Sequence, residues 1–402
     1  MSTISRSRSR YRWYILALAA VTFTFVVATP TMCMPVLFEE IAGDLDLSLV
    51  QIGAIWGMAS LAGLFVVLAG GLLGDRFGAK RVLSTFCILA GLAGALRGLS
   101  GSFISLSATL FLFGLLTAII APVVHKTCGI WFSGRNLGMA NGVVSMGMAV
   151  GFTLGAMVSA TVLSPLLDGW RNVLYLYGAI SVVIGILWTV TRSRPDEVET
   201  VAGDVSTVPF RQALSRVVRI RQVWVLGLIL VGQLGCIQGV FGYLPLYLRD
   251  SGWTAATADG ALAAFHAISM AFAVPLALLS DRLGSRKAVL FVAALMTSIG
   301  VGLLSVAGGA MVWVAVAVAG IVRDGFMAVL MTTIIETDGV GTVYAGTAMG
   351  LVMTLSRLIA FISPPAGNSL ATTNPSLPFV FWAGLAAVAL IFFAFLRGKR
   401  SG

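Results

Sequence analysis

Charge is what this chain has least of. Only 10% of its 402 residues are Asp, Glu, Lys or Arg, where a soluble domain carries roughly 25%. Histidine occurs twice. The four cysteines (Cys33, Cys87, Cys128, Cys236) stand singly in apolar stretches. Neither a metal-ligand spacing nor a disulfide framework can be drawn from them, so free buried thiols and no metal or cofactor are expected. There is no nucleophile–base constellation, phosphate-binding loop or ATPase motif. An enzyme is therefore not expected, and any energy input should come from an ion gradient.

What the chain has instead is apolar length. Hydrophobic residues make up 58% of it and the mean hydropathy is +0.98. Runs of about 20 apolar residues recur, each long enough to cross ~30 Å of hydrocarbon as a helix. Uninterrupted runs of this kind exclude a transmembrane barrel. Twelve spans are predicted: 13–37, 50–71, 82–100, 103–125, 137–161, 173–191, 223–247, 257–279, 288–308, 311–334, 344–366 and 376–396. The fold class is thus an all-α polytopic membrane protein. The run after Arg6, Arg8, Arg10 and Arg12 is too long for the h-region of a signal peptide, about 7–15 residues, and is read as an uncleaved first span. One long polar stretch, 192–222, separates an N-terminal six-helix half (1–191) from a C-terminal one (223–402).

The net charge of +10 does not indicate a nucleic-acid partner, because the cations gather in alternate loops. With the N-terminus inside, 21 of the 26 Lys and Arg residues fall on one side. The positive-inside rule then places both termini in the cytoplasm, as expected of a bacterial inner-membrane protein working as a monomer among membrane lipids. Arg97, Arg171 and Arg249 fall at outer borders, and Glu39, Glu40, Asp44 and Asp46 are expected in the first external loop.

A loop is duplicated. Gly71-Leu72-Leu73-Gly74-Asp75-Arg76-Phe77-Gly78-Ala79-Lys80-Arg81 returns 206 positions later as Ala277-Leu278-Leu279-Ser280-Asp281-Arg282-Leu283-Gly284-Ser285-Arg286-Lys287. Glycines suit a tight turn. The pattern resembles the loop between helices two and three of the major facilitator superfamily of secondary transporters. The stretch Trp131–Gly142 and the triplet Gly169-Trp170-Arg171 are similar to other connections of that family. The resemblance implies two pseudo-symmetric six-helix bundles, alternating access, and a gating role for Asp75, Arg76, Asp281, Arg282, Gly71 and Gly78. Topology determination alone is the other reading of these loops. A glycine-rich stripe with a Gly-Pro step would mark the family's proton-driven drug antiporters, but Met148 follows Gly147 here. An arginine often tied to proton coupling is replaced by Leu110.

Arg323 and Arg357 belong to neither loop compartment. A charge at mid-bilayer is costly and normally meets a partner or a watery cavity. Two readings stand: the guanidinium groups bind an anionic substrate, or one of them is neutralised by Asp324, the one acid near mid-membrane. Asp324 can also carry a coupling proton. His266 is read either as a substrate or proton group or as a packing histidine. Thr29 (with Pro30), Gln238 and Tyr243 (with Pro245) fall at expected helix breaks, and Asn141 shares a face with Ser145. Each is a candidate substrate contact or simple interhelical glue. Arg357 resembles a cation position of organic-anion exchangers. The expected function is transport of a small carboxylate with protons. Drug or metabolite efflux and a non-transporting sensor are the alternatives.

Overall fold

The computed structural model of the protein describes residues 2–66, 77–133, 135–192 and 210–396. All regular structure among them is helical, and twelve helices are long and apolar enough to cross a membrane. They are α1 Tyr11–Leu45, α2 Leu49–Val66, α3 Ala79–Leu99, α4 Phe103–Trp131, α5 Asn136–Leu166, α6 Trp170–Thr189, α7 Arg221–Asp250, α8 Ala255–Leu283, α9 Arg286–Leu304, α10 Ala310–Ile335, α11 Val343–Leu370 and α12 Leu377–Phe395. Each of the twelve predicted spans overlaps one of them.

Two compact units form. One holds Met1–Leu45 and Phe65–Val205; the other holds Asp46–Leu64 and Ser206–Gly402. The second helix therefore packs with the C-terminal helices, whereas the sequence divides the chain at its long polar stretch.

In the first unit, α1 lies on α5 and α3 on both α4 and α6. The glycine stripe of α5 is the reason α1 can approach. A Cβ on Gly147, Gly151 or Gly155 would meet the carbonyl oxygens of Ala20, Thr24 and Thr29 at 2.6–2.7 Å. At that spacing hydroxyls reach across: Thr24 donates to the Gly147 carbonyl at 2.8 Å and Thr29 to the Gly151 carbonyl at 3.0 Å. Such small-residue contacts replace the hydrophobic drive that lipid does not supply.

Three expectations about helix breaks and ends are corrected. No break occurs at Thr29 and Pro30. The ring is accommodated by a widened π segment, Phe23–Ala28, and the helix runs on, since an extra residue per turn relieves the ring's clash with the preceding turn. Nor does α1 end near residue 37. It continues to Leu45, so Glu39, Glu40 and Asp44 are helical rather than in a loop. Nothing in residues 38–45 breaks a helix, and the acids have partners: Ser164 donates to Glu40 at 2.5 Å, and Arg171 pairs with Asp44. The chain turns at Asp46, which has φ +51°. Likewise α7 is unbroken, with Pro245 inside it.

In the second unit, α7 packs on α11 and α12, and α10 on α8 and α9. Here α2 uses glycine again: a Cβ on Gly53 would meet Pro364 and Pro365, and on Gly57 the Phe361 carbonyl. Asn368 of α11 adds a bond to the Leu49 carbonyl at 2.8 Å, and Trp56 ties α2 to α7 by donating its indole N–H to the Gln238 carbonyl at 2.7 Å.

Candidate functional site: buried cations of the C-terminal helices

A helix in hydrocarbon satisfies its own backbone, so side-chain charge marks where such a bundle does something other than span. In α10, Arg323 pairs through Nη1 with the neighbouring Asp324 carboxylate. The two readings of Asp324 thus meet at Arg323. Asp324 is held in turn by α8, where the Ser269 hydroxyl accepts its backbone N–H at 3.1 Å. The Arg323 guanidinium carbon lies 5.6 Å from the Phe241 ring centroid. The buried His266 ring is 4.6 Å from that same ring. Arg323 and His266 therefore lie against one phenylalanine of α7, which no sequence signal singles out, with Asp324 held to Arg323.

Arg357 is placed differently. It is half-buried on α11 and makes no ion pair among the described residues. Its guanidinium and Cδ lie where a Cβ on Gly63 of α2 would stand. A glycine opposite the charge is what admits the planar group; its function in this place was invisible without the neighbour. The positions 206 residues earlier carry no charge: Thr117 is buried with its hydroxyl on the Phe113 carbonyl at 2.9 Å, and Gly151 is packed against α1.

Arg323 also lines a cavity of about 60 Å³. Leu230, Gln233, Leu234 and Ile237 of α7 form one wall, Thr297 of α9 the second, and Phe326 and Met327 of α10 the rest. The spacing i, i+3, i+4, i+7 on α7 brings those four to one face. Gln233, 5% exposed, has a buried amide nitrogen without a hydrogen-bond partner among the described residues. Sequence reasoning missed it; a glutamine deep in an apolar span was the available signal.

The other expected contacts lie elsewhere. Tyr243 is buried among Tyr247, Phe379 and Trp382, and its hydroxyl donates to the Pro375 carbonyl at 3.0 Å. Gln238 is half-buried and uses its backbone carbonyl to receive Trp56. Thr29 belongs to the α1–α5 contact, and Asn141 meets His125 at 3.0 Å; both are in the first unit.

Of the gating candidates, Gly71, Asp75 and Arg76 lie outside the described residues. Gly78 and its repeat Gly284 both adopt positive φ, +80° and +63°, the turn conformation glycine permits. Asp281 accepts from Arg286 at 3.1 Å, and Arg286 grips Glu336 at the end of α10 with two bonds of 2.7 and 2.8 Å. Arg282 is exposed.

The three border cations are all engaged. Arg97 is fully buried, bonded to the Pro30 and Gly94 carbonyls at 2.8 and 3.1 Å with its guanidinium 4.1 Å from the Phe113 ring centroid. Arg249 forms a two-pronged pair with the buried Asp259 at 2.6 and 2.7 Å. Arg171 pairs with Asp44.

Twelve membrane-length helices among the described residues, with charges held among them, define a polytopic membrane protein. Residues 14–364 match the family model of the Major Facilitator Superfamily, and the chain belongs to that superfamily; it is an MFS-type secondary transporter. Over 172 residues it is 26% identical to a probable galactarate/D-glucarate transporter of Escherichia coli, covering 40% of this chain and 36% of that one. A probable sulfoacetate transporter of Cupriavidus necator is 23% identical over 188 residues, covering 46% and 42%. The matched region thus spans less than half the length of these relatives. The 3-(3-hydroxy-phenyl)propionate transporter of Escherichia coli is 24% identical over 87% of both chains. Among solved structures, the nucleoside transporter NupG superposes with a TM-score of 0.79 at 12% identity, covering 95% of this chain and 99% of that one. A bacterial homologue of the human lysosomal transporter Spinster superposes with a TM-score of 0.75 at 16% identity, covering 96% and 97%. At these identities the likeness concerns the fold.

Proposed function

We propose that this transporter moves a small organic anion across the bacterial inner membrane by alternating access, in symport with protons. The observation that carries the reading is Arg357: a half-buried guanidinium within a membrane-spanning helix, with no ion pair among the described residues. Leaving such a charge unmatched is costly, and a carboxylate offers the planar fork geometry that offsets it. Named relatives that transport organic acids support the same class. Arg323 with Asp324 is the second element. Protonation of Asp324 weakens its hold on Arg323 and couples a proton to the anion. His266 stands beside this pair as a further substrate or proton group.

In this reading the two six-helix halves, 1–191 and 223–402, rock about the substrate as a monomer, with both termini cytoplasmic. The duplicated loops, through Asp75, Arg76, Asp281 and Arg282, latch the cytoplasmic side.

The test is uptake of labelled organic acids into proteoliposomes, with Arg357→Ala and Arg357→Lys beside the native protein. Saturable uptake is expected in the native protein. It should fall by about 100-fold in the alanine variant, as for loss of a charged hydrogen-bonded contact, and be only partly rescued by lysine, which lacks the fork. Uptake unchanged in Arg357→Ala, or transport of lipophilic cations alone, overturns the anion reading.

A further inference from the structure

Between Asp204 and Asp250 the chain has no acidic residue, yet Arg211, Arg216, Arg219 and Arg221 stand close together in that interval. The structure gives two of them a common place. Residues Phe210–Val217 form a short helix that packs on α11, with Val217 in the apolar cluster that also holds Val340 and Ala348. Its exposed side carries Gln212, Ser215 and Arg216. With Arg219 they line an open cleft, and Tyr344, in the first turn of α11, stands across it. The Arg216 guanidinium carbon lies 5.3 Å from the Tyr344 ring centroid. An aromatic face steadies a guanidinium without consuming its N–H groups.

Neither Arg216 nor Arg219 has an ion pair or a side-chain hydrogen bond among the described residues. Of the acids next to the far wall, Glu336 is gripped by Arg286, and Asp338 is exposed and outside the lining. Two forked cations, with amide and hydroxyl donors beside them, suit a phosphate group.

The setting selects among phosphates, because the cleft lies at a membrane border. Trp224, in the first turn of α7, donates its indole N–H to the Val218 carbonyl at 2.7 Å, and tryptophan is a residue of the headgroup level. The same end of this unit carries Arg282, Arg286 and Lys287, whereas the far end of α7 has Arg249, paired with Asp259. Val218 is 41% exposed and Ile220 joins the lining, so an apolar edge adjoins the cations. A free phosphate gains nothing from that edge; the glycerol and acyl carbons of a phospholipid do.

We infer that the Arg216–Arg219 cleft is a headgroup site for an anionic glycerophospholipid, in the cytoplasmic leaflet under the orientation proposed above. The bound phosphate joins the helix Phe210–Val217 to the first turn of α11, the helix that carries Arg357. The site is independent of what the protein transports.

The experiment measures binding of fluorescently labelled phosphatidylglycerol to the full-length protein in neutral detergent. Unlabelled phosphatidylglycerol, phosphatidylcholine and inorganic phosphate serve as competitors. Arg216→Gln and Arg219→Gln each remove one charge from the cleft; Arg211→Gln removes one from the same segment, exposed but outside the lining. Saturable binding is expected, displaced by phosphatidylglycerol far better than by the other two. Each cleft variant should raise the apparent Kd about tenfold, the loss of one charged hydrogen-bonded contact. Arg211→Gln should change it by less than about threefold, as for a screened surface charge. The lipid should also slow amide hydrogen exchange in residues 210–219 and in the first turn of α11, and do so less in the cleft variants. Equal losses in all three variants, or an unchanged Kd in both cleft variants, overturn the site. Displacement by phosphatidylcholine or inorganic phosphate as readily as by phosphatidylglycerol overturns the anionic-lipid assignment. Either outcome leaves anion transport through Arg357 standing.

Discussion

Asp259 illustrates what a single side chain contributes in this bundle. It is fully buried and joined to Arg249, whose side chain is also buried. Desolvating two charges is expensive, and removing one partner leaves the other charge stranded. Asp259→Ala should destabilise the protein by about 3–5 kcal/mol, read as a lowered unfolding midpoint in detergent. The double variant Arg249→Met with Asp259→Leu should recover most of that loss, because an apolar pair of similar volume carries no desolvation penalty. If the single and double variants unfold alike, the pair is not what holds the α7–α8 end. Arg97 solves the same problem without a carboxylate, by two carbonyl oxygens and the face of Phe113; an aromatic face attracts a desolvated cation by about 2 kcal/mol.

At the scale of elements, α1 and α5 meet through backbone. The glycine positions on α5 are not equivalent. At Gly151 an added Cβ would stand 2.6 Å from the Thr24 carbonyl oxygen, a backbone atom that cannot swing aside. Gly142, on the same helix, has nothing within 4 Å of that position. Gly151→Val should therefore cost about 1–3 kcal/mol by forcing the helices apart, and with it the Thr29 hydrogen bond to the Gly151 carbonyl. Gly142→Ala should be neutral or stabilise by up to about 1 kcal/mol, through helix propensity. Thermal unfolding of the two variants side by side checks the contrast; equal effects would mean the stripe is not the contact. The α2–α11 contact follows the same logic with Gly53 and Gly57, and at Gly63 the glycine makes room for the charged head of Arg357 instead of a backbone.

For the whole molecule, the consequence is coupling. Asp324 is the one carboxylate bonded to Arg323 among the described residues. If its proton drives accumulation, Asp324→Asn should abolish uptake driven by an inward proton gradient while leaving substrate exchange between preloaded vesicles within about threefold of native, since the amide still fills the position but carries no proton. Gradient-driven accumulation persisting in Asp324→Asn would assign coupling to another group, with His266 next in line.

The sequence by itself determined the twelve helices, because apolar length is a property of a run and hydrocarbon admits no other backbone solution. It also determined the turns at Gly78 and Gly284, whose positive φ angles are written in a loop used twice, and a small-residue stripe at Gly147, Gly151 and Gly155 where another helix can come close, though not that the helix is α1. Periodicity says which residues share a face; it does not say what stands opposite. The pairing of Arg323 with Asp324, adjacent on α10, was one of the readings the sequence offered; the pairing of Arg249 with Asp259, the burial of Arg97, and the seat of Arg357 against Gly63 depend on which helix lies across the gap. So does the cavity at Gln233, a void left where three helices fail to fill the space between them. The charges were legible as costs from the sequence, and for Arg97 and Arg357 only the tertiary structure decided what stands against them, because that is a contact between residues far apart along the chain.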